Sequence, residues 1–395
     1  MKILYAHGES ILINGVINAL IKLGITYEVY PKLQNFFQAD EKEVEEVFHY
    51  IREHEITHVM SINLVDNLAL ATERAGIIYI SLIWDAPYYN LLSDYGRMPH
   101  CWYAVFDKAD AGRFMDRKVP HVLYQPLAVD GAAIEKWDKE NEGVCPKTYE
   151  REICFIGNLY DENFYDEFCQ NMPQPLQDYF TDVFERTVFQ WDGVNRLRGA
   201  VSNELLAYIR KVTPGFQLVN FFEIEDARYF ESFYLIRKAA NIERVCILNM
   251  LAERFPVTLY TASKTAGEVL HHVNIMPPVS AGHESYLLFK KSKINLNISL
   301  KGIEAGTPLR VMDIMGAGGF VMTNYSPETA ELFEEDKEIV MFRTPEELLQ
   351  KVDYYLNHEE ERERIAKAGH EKVMCCYTYE KKIKQLLTWI TEDEG

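Results

Sequence analysis

What most constrains this chain is an alternation, begun at residue 2 and kept almost to the end, of short apolar runs with segments of helical periodicity. KILYA is followed by ILINGVINALIKLG, whose apolar residues recur at helical spacing and which stops at Gly24; ITYEVY then alternates as a strand does. EKEVEEVFHYIREH, THVMSIN, LVDNLALATERAG and IIYISLIWD repeat the order helix, strand, helix, strand. Strands joined through helices pair in parallel with right-handed crossovers. The fold class predicted is α/β, a doubly wound parallel sheet, which binds its ligands beyond the carboxyl ends of the strands.

The pattern runs twice. CWYAVFD, HVLYQPL and the helix between them complete a first lobe, which ends near residue 145 in the polar stretch DKENEGVCPKTYERE. EICFIGNLYDEN opens a second lobe with an apolar strand running into a glycine loop. From about 160 to 240 the chain is rich in aromatic residues and helical signals (LQDYFTDVFERTVF, NELLAYIRKV, ESFYLIRKAA), which predicts a helical insertion. The helix NIERVCILNMLAERF and the strand VTLYTA resume the alternation, and YEKKIKQLLTWI closes it as an amphipathic helix. The predicted organisation is a lobe over 1–145, a second lobe over 146–376 and a terminal helix over 377–395.

A length of 395 residues suits two such domains. The net charge of −19 provides no basic stripe and argues against a nucleic-acid partner. The seven cysteines (101, 145, 154, 169, 246, 375 and 376) form no zinc or disulfide framework; they read as buried thiols in a reducing compartment. MKILYAHGES opens as a strand rather than a signal peptide, and no apolar run reaches the roughly 18 residues of a membrane helix. The expected location is therefore cytoplasmic, with no integral membrane segment. P-loop, GxGxxG and GxSxG motifs are absent, and so is a D-x-D triplet for a metal, which favours metal-free chemistry.

Five strand-end loops carry the candidate chemistry. In LKGIEAGTPLRVMDIMGAGG, Gly306 and Thr307 precede a helix, with Pro308 in its first turn. Amides at such a start attract phosphate, and Lys301 and Arg310 add positive charge. Arg310 and Asp313 lie three apart on one helix face, Asp313 suited to accept from ribose hydroxyls; an exposed Arg310–Asp313 ion pair is the plainer alternative. Gly157-Asn158 ends the strand ICFIG, where a missing side chain lets a ligand approach the backbone. Asp85, in Trp84-Asp85-Ala86-Pro87, suits a general base or a sugar-hydroxyl contact, and equally a turn cap. His7, in the loop after the first strand, is a second acid–base candidate. Tyr260, Pro278 and Val279 follow second-lobe strands and form a weaker candidate nucleobase site.

The run KSKINLNISLKGIEAGTPLRVMDIMGAGGFVMTN…EELLQKVDYYLNHEEERERIAKAG resembles the C-terminal lobe of CgeB-like bacterial glycosyltransferases, a spore-maturation type related to glycosyltransferase group 1. WDAP, FDKADAGRF, YQPLAVD and ICFIGNLYDEN resemble the parts that precede it. The resemblance implies a GT-B fold: two Rossmann-like lobes facing a cleft, the last helix crossing back to the first. It implies a nucleotide-sugar donor on the second lobe and an acceptor on the first. Retaining members carry a pair of glutamates near this loop. Asp313 stands in the second place, and Glu304, nine residues earlier, is one residue out of step with the first.

The function expected is metal-independent transfer of a sugar from a nucleoside diphosphate to a hydroxyl or amide of a protein, glycan or surface polymer. No cofactor is expected beyond the donor, a UDP-sugar first and a dTDP- or GDP-sugar next. The alternatives are a non-catalytic nucleotide-sugar or glycan-binding protein and a nucleotide-sugar epimerase.

Overall fold

The computed structural model describes residues 1–6, 13–30, 33, 38–141, 149–218, 220 and 224–393. The chain forms two compact units, one of residues 1–139 with 373 onward, the other of 140–372.

The first unit is built on a sheet of β1 (Lys2–Tyr5), β2 (Thr26–Val29), β3 (His58–Ile62), β4 (Ile78–Ile83), β5 (Cys101–Val105) and β6 (Val122–Tyr124). Every pairing is parallel, and the order is β2-β1-β3-β4-β5-β6. The chain therefore reverses its direction of travel between β1 and β3. Because side chains alternate along a strand, both faces are apolar. Leu4, Val59, Tyr79, Ile83 and Tyr103 enter one core, and Ile3, Tyr5, Met60, Ile80 and Trp102 the other.

The second of those cores is closed by the terminal helix Tyr379–Asp393 through Tyr379, Ile383, Leu386 and Ile390. Its entry is pinned by a two-way backbone exchange with Val129. The Val129 amide donates to Tyr377 at 2.9 Å, and the Tyr379 amide donates to Val129 at 2.9 Å. Gly15, on the helix Ile13–Lys22, leaves room for the Tyr379 ring, which any Cβ at that position would meet.

The second unit repeats the plan with β7 (Arg151–Ile156), β8 (Val257–Tyr260), β9 (Val273–Met276), β10 (Ser292–Asn297), β11 (Val321–Asn324) and β12 (Val340–Phe342). The order is β12-β11-β10-β7-β8-β9, again all parallel, so the reversal falls between β7 and β10. Residues 160–240 contribute no strand among the described residues. They form the helices Phe164–Cys169, Gln174–Glu185 and Asn203–Val212, and a segment from Asp226 that passes through a π-turn into the long helix Ile236–Ala252. Phe180, Phe184, Leu206, Phe230 and Tyr234 give this region a core of its own.

Two expectations need amendment. Cys101, Cys154 and Cys169 are buried, but Cys246 and Cys375 are exposed, because each sits on a helix face turned away from its sheet; Cys145 lies outside the described residues. Pro308 is the residue before the helix Leu309–Gly316, not part of its first turn. No helix among the described residues is long and apolar enough to cross a membrane.

Gly15→Val is expected to force the Tyr379 ring away and to lower stability by about 1–3 kcal/mol. Urea denaturation of the two proteins measures it; equal midpoints would show that the terminal helix yields without cost.

Candidate functional site in the second unit

With all strands parallel, the carboxyl ends of β7 and β10 lie side by side at the point of reversal, where an open α/β sheet leaves a crevice. The loops leaving these two strands are Gly157-Asn158 and 298–308.

Arg244, on the helix Ile236–Ala252, ties the loops together. One guanidinium nitrogen donates to the Asn158 carbonyl at 2.5 Å, and another to the Ile298 carbonyl at 2.6 Å. The group is buried against the Phe155 and Tyr160 rings, 5.3 and 4.9 Å from their centroids. A Cβ on Gly157 would stand 3.1 Å from the Phe155 ring and 3.4 Å from Arg244 Nη1. The loop after β8 joins the same edge: Leu159 N donates to Ser263 Oγ at 2.7 Å, and Thr265 N to Asp161 at 2.9 Å.

The helix Leu309–Gly316 begins here. Its first internal bonds run from Val311 and Met312 back to Pro308, so the Leu309 and Arg310 amides bond to no described residue. The Arg310 side chain is half-buried over the Phe289 ring, 5.7 Å from its centroid. It forms no ion pair or hydrogen bond with any described residue, and the Arg310–Asp313 pair considered above is not formed. The Arg244 guanidinium is held below its usual range chiefly by burial, with the positive charge of Arg310 adding to the effect. Two guanidinium groups from different helices thus repel one another, and an oxyanion near Arg310 would relieve that repulsion. Asp313, one turn along the same helix, is pushed up to about 6 by burial, against the pull of Arg310.

Other expected residues are turned elsewhere. Lys301 does not reach outward. Its ammonium is buried, 3.1 Å from Glu243, donates to the Gln190 carbonyl at 2.9 Å and faces the Trp191 ring. Nor is Thr307 available: its amide donates to Glu328 at 3.1 Å and its hydroxyl pairs with Thr329 at 3.0 Å, because the loop is anchored to the helix Pro327–Leu332. The open amides are therefore those of Leu309 and Arg310, two and three residues later. The Tyr260 side chain is buried, with its hydroxyl accepting from Arg151 at 2.8 Å, so only the backbone of its loop faces the edge.

Glu304 is gripped by the insertion, ion-paired with Arg198 and accepting from Asn195 at 3.2 Å. It lines a shallow pocket with Lys301, Gly306, Trp191 and Tyr325. Pro278 and Val279 follow β9 at the far edge, Pro278 exposed.

In the first unit, Asp85 is exposed at the end of β4 and is held by Asn63, whose amide nitrogen donates to it at 2.7 Å. The Asn63 oxygen accepts from Trp84 N at 3.1 Å, and its φ of 58° is one that asparagine tolerates. His7 lies outside the described residues.

Sequence reasoning missed Glu243, Arg244 and Asn63. A signal existed for the first two: Ala239, Ala240, Ile247 and Leu248 place the Glu-Arg pair on the apolar stripe of its helix. Only a paired function explains charges there.

Lys301→Met leaves the Glu243 carboxylate buried without its ammonium and is expected to cost about 3–5 kcal/mol near neutral pH. Burial already holds the Glu243 carboxyl above its usual range, so the native state binds that proton more tightly than the unfolded chain does. The deficit should therefore shrink as pH falls. Urea unfolding of the variant and its parent at two pH values reads this; a pH-independent deficit would exclude Glu243 as its source.

Residues 248–388 match the family model described as "Glycosyl transferase-like". No curated protein sequence matches the chain. Among solved structures, the chain is similar to a glycosyltransferase from Rickettsia africae, with a TM-score of 0.54, 11% identity, and 99% of this chain and 98% of that one covered. It is also similar to HepE of Anabaena in complex with UDP and glucose, with a TM-score of 0.55, 10% identity and coverage of 99% and 100%. Sucrose-phosphate synthase of Thermosynechococcus elongatus matches with a TM-score of 0.52, 9% identity and coverage of 100% of both chains. The chain has the two-lobed α/β GT-B fold, and its residues 248–388 are similar to the glycosyl transferase-like family.

Proposed function

We propose that this protein is a glycosyltransferase of the CgeB-like type, using a UDP-sugar without a bound metal. The observation that carries the reading is the half-buried Arg310, which makes no ion pair or hydrogen bond with any described residue, at the start of a helix whose Leu309 and Arg310 amides are open, where the second sheet reverses. A diphosphate suits that position. The stretch that matches the glycosyl transferase-like family model includes it, and HepE, of like fold, has been solved with UDP and glucose.

In the reaction, the bond between the anomeric carbon and the diphosphate oxygen breaks, and the acceptor oxygen or nitrogen bonds to that carbon. The UDP oxygen gains negative charge, which Arg310 and the two amides stabilise. Asp313 accepts from the ribose hydroxyls, and the backbone beyond β8 and β9, at Tyr260, Pro278 and Val279, borders the base. Gly157 and Asn158 shape the phosphate side, while Glu304 and Gly306 border the sugar. Lys301 and Thr307 serve by fixing their loop. On the acceptor side Asp85 takes the proton, with His7 as the second candidate. The acceptor is a hydroxyl or amide of a protein, glycan or surface polymer, and the setting is the cytoplasm of a bacterium.

Calorimetry with UDP in the presence of a chelator tests the donor assignment. Arg310→Ala should weaken UDP by about ten-fold or more; unchanged affinity would remove Arg310 from the site. Because Asp313 ionises at about 6 and accepts hydrogen bonds as the carboxylate, UDP affinity should rise as pH climbs through that value. Asp313→Asn should flatten the rise. Asp85→Asn should leave UDP binding intact and depress donor turnover; normal turnover would clear Asp85 of the base role, and UDP binding with no turnover in the parent protein would favour a binding protein.

A further inference from the structure

β3 and β4 are neighbours in the first sheet, and the loops that leave them are bonded into one body. The Asn63 amide donates to the Leu82 carbonyl at 2.8 Å, one residue past the end of β3. Tyr88, on the second loop, reaches back to the first. Its hydroxyl accepts from Leu64 N at 2.9 Å and donates to the Leu64 carbonyl at 3.2 Å. From below, Ser61 Oγ donates to the Asn63 carbonyl at 2.7 Å. The Tyr79 hydroxyl accepts from Val65 N at 2.9 Å and pairs with Ser61 Oγ at 2.6 Å. These three side chains are buried, and burial holds both phenols well above their usual range, so they stay protonated. The Val65 carbonyl accepts from Leu68 and Ala69, so every backbone donor and acceptor from Asn63 to Val65 is answered.

The Asn63 side chain is thus surplus to its own loop, and its amide is set as a fork. The oxygen accepts from Trp84 N at 3.1 Å, which turns the nitrogen to Asp85 Oδ2 at 2.7 Å. A reversed amide would set oxygen against carboxylate and N–H against N–H, so one orientation alone satisfies both neighbours. Trp84 is held in turn by its indole, stacked on the Tyr379 ring at 5.5 Å. Asp85 is exposed and accepts no other hydrogen bond among the described residues. An exposed carboxylate gains little stability from such a bond, because water serves it nearly as well. What the bond supplies is direction: with Oδ2 fixed, Oδ1 has a defined heading.

We propose that Asn63 is a positioning residue for proton transfer to Asp85, holding Oδ2 so that Oδ1 is presented to the acceptor. The inference rests on the reading of Asp85 as the base. As the acceptor oxygen bonds to the anomeric carbon, its proton passes to Asp85 Oδ1, and UDP leaves with the electron pair of the broken bond. The Asn63 N–H keeps its bond throughout and exchanges no proton. Its contribution is alignment, which a rigid pair of loops can deliver and a freely rotating carboxylate cannot.

A double-mutant cycle on the full chain tests this, reading UDP release from UDP-glucose, UDP-galactose and UDP-N-acetylglucosamine with water as acceptor. Asn63→Gly removes the amide and puts at a φ of 58° a residue that adopts it without strain. With the donor turned over fastest, it should lower kcat by about ten-fold or more and leave KM and UDP affinity unchanged. In an Asp85→Asn background it should have no further effect. Equal losses in both backgrounds, or a loss carried by KM, would show that Asn63 only braces its loop and would overturn the proposal, as would parental turnover in Asn63→Gly. Should that variant unfold, Asn63→Asp, which keeps an acceptor for Trp84 and replaces the donor by a carboxylate oxygen, should lower kcat at least as far. No UDP release by the parent protein would remove the base reading of Asp85 and this inference with it. Turnover that depends on Asp85 but not on Asn63 would remove this inference alone.

Discussion

The second unit turns on one buried guanidinium. Where a parallel sheet reverses its order, two neighbouring strands send their chains apart, and the carbonyls just beyond the last paired residues have no ladder partner. Arg244 supplies the missing donors, with one nitrogen for the Asn158 carbonyl and another for that of Ile298. An arginine does this better than a lysine, because its planar fork reaches two acceptors at once and its flat face stacks on Phe155 and Tyr160. Backbone that would otherwise solvate itself is held open, and the crevice of the fold becomes a shaped edge.

Burying that charge requires a second one. Glu243, the preceding residue, is fully buried and meets Lys301 and the Trp191 indole. The loop after β10 is thus held at Ile298 by Arg244 and at Lys301 by Glu243, two neighbours on one helix. Hydrogen bonds between Ser326 and the Ala305 carbonyl, at 2.7 Å, and between Glu328 and the Thr307 amide fix the other end. Such a loop presents Arg310 and the first amides of its helix with little freedom to reorganise, which is the condition for electrostatic stabilisation of a developing charge.

Much of the architecture is legible in the residues. The alternation of apolar runs and amphipathic segments specifies parallel sheets, and the glycines at 24 and 157 fall where the chain turns. The aromatic stretch before residue 240 is helical because its Phe and Tyr residues recur at helical spacing and pack on each other. What periodicity does not convey is the direction of a single polar side chain. Lys301, just beyond a strand, has the pattern of a solvent-facing cation, yet its partner comes from a helix remote in sequence. Thr307 has the look of a phosphate-binding residue, but Glu328 takes its amide. Tyr260 ends its strand at the crevice, but its ring lies back along the sheet to Arg151. Each of these was decided by a contact between distant segments, which one-dimensional spacing does not encode.

The grip of residues 190–198 on the loop after β10 bears on how such a chain can diverge. Gln190, Trp191, Asn195 and Arg198 belong to the helical insertion, yet they hold Lys301, Glu243 and Glu304. The insertion is therefore not a separable ornament on the second sheet. A chimera that exchanged it between relatives would inherit a mismatched floor beneath the crevice unless the helix Ile236–Ala252 travelled with it. The natural unit of exchange runs from the end of β7 to the start of β8, and sequence drift within that block must be correlated with drift in residues 298–308.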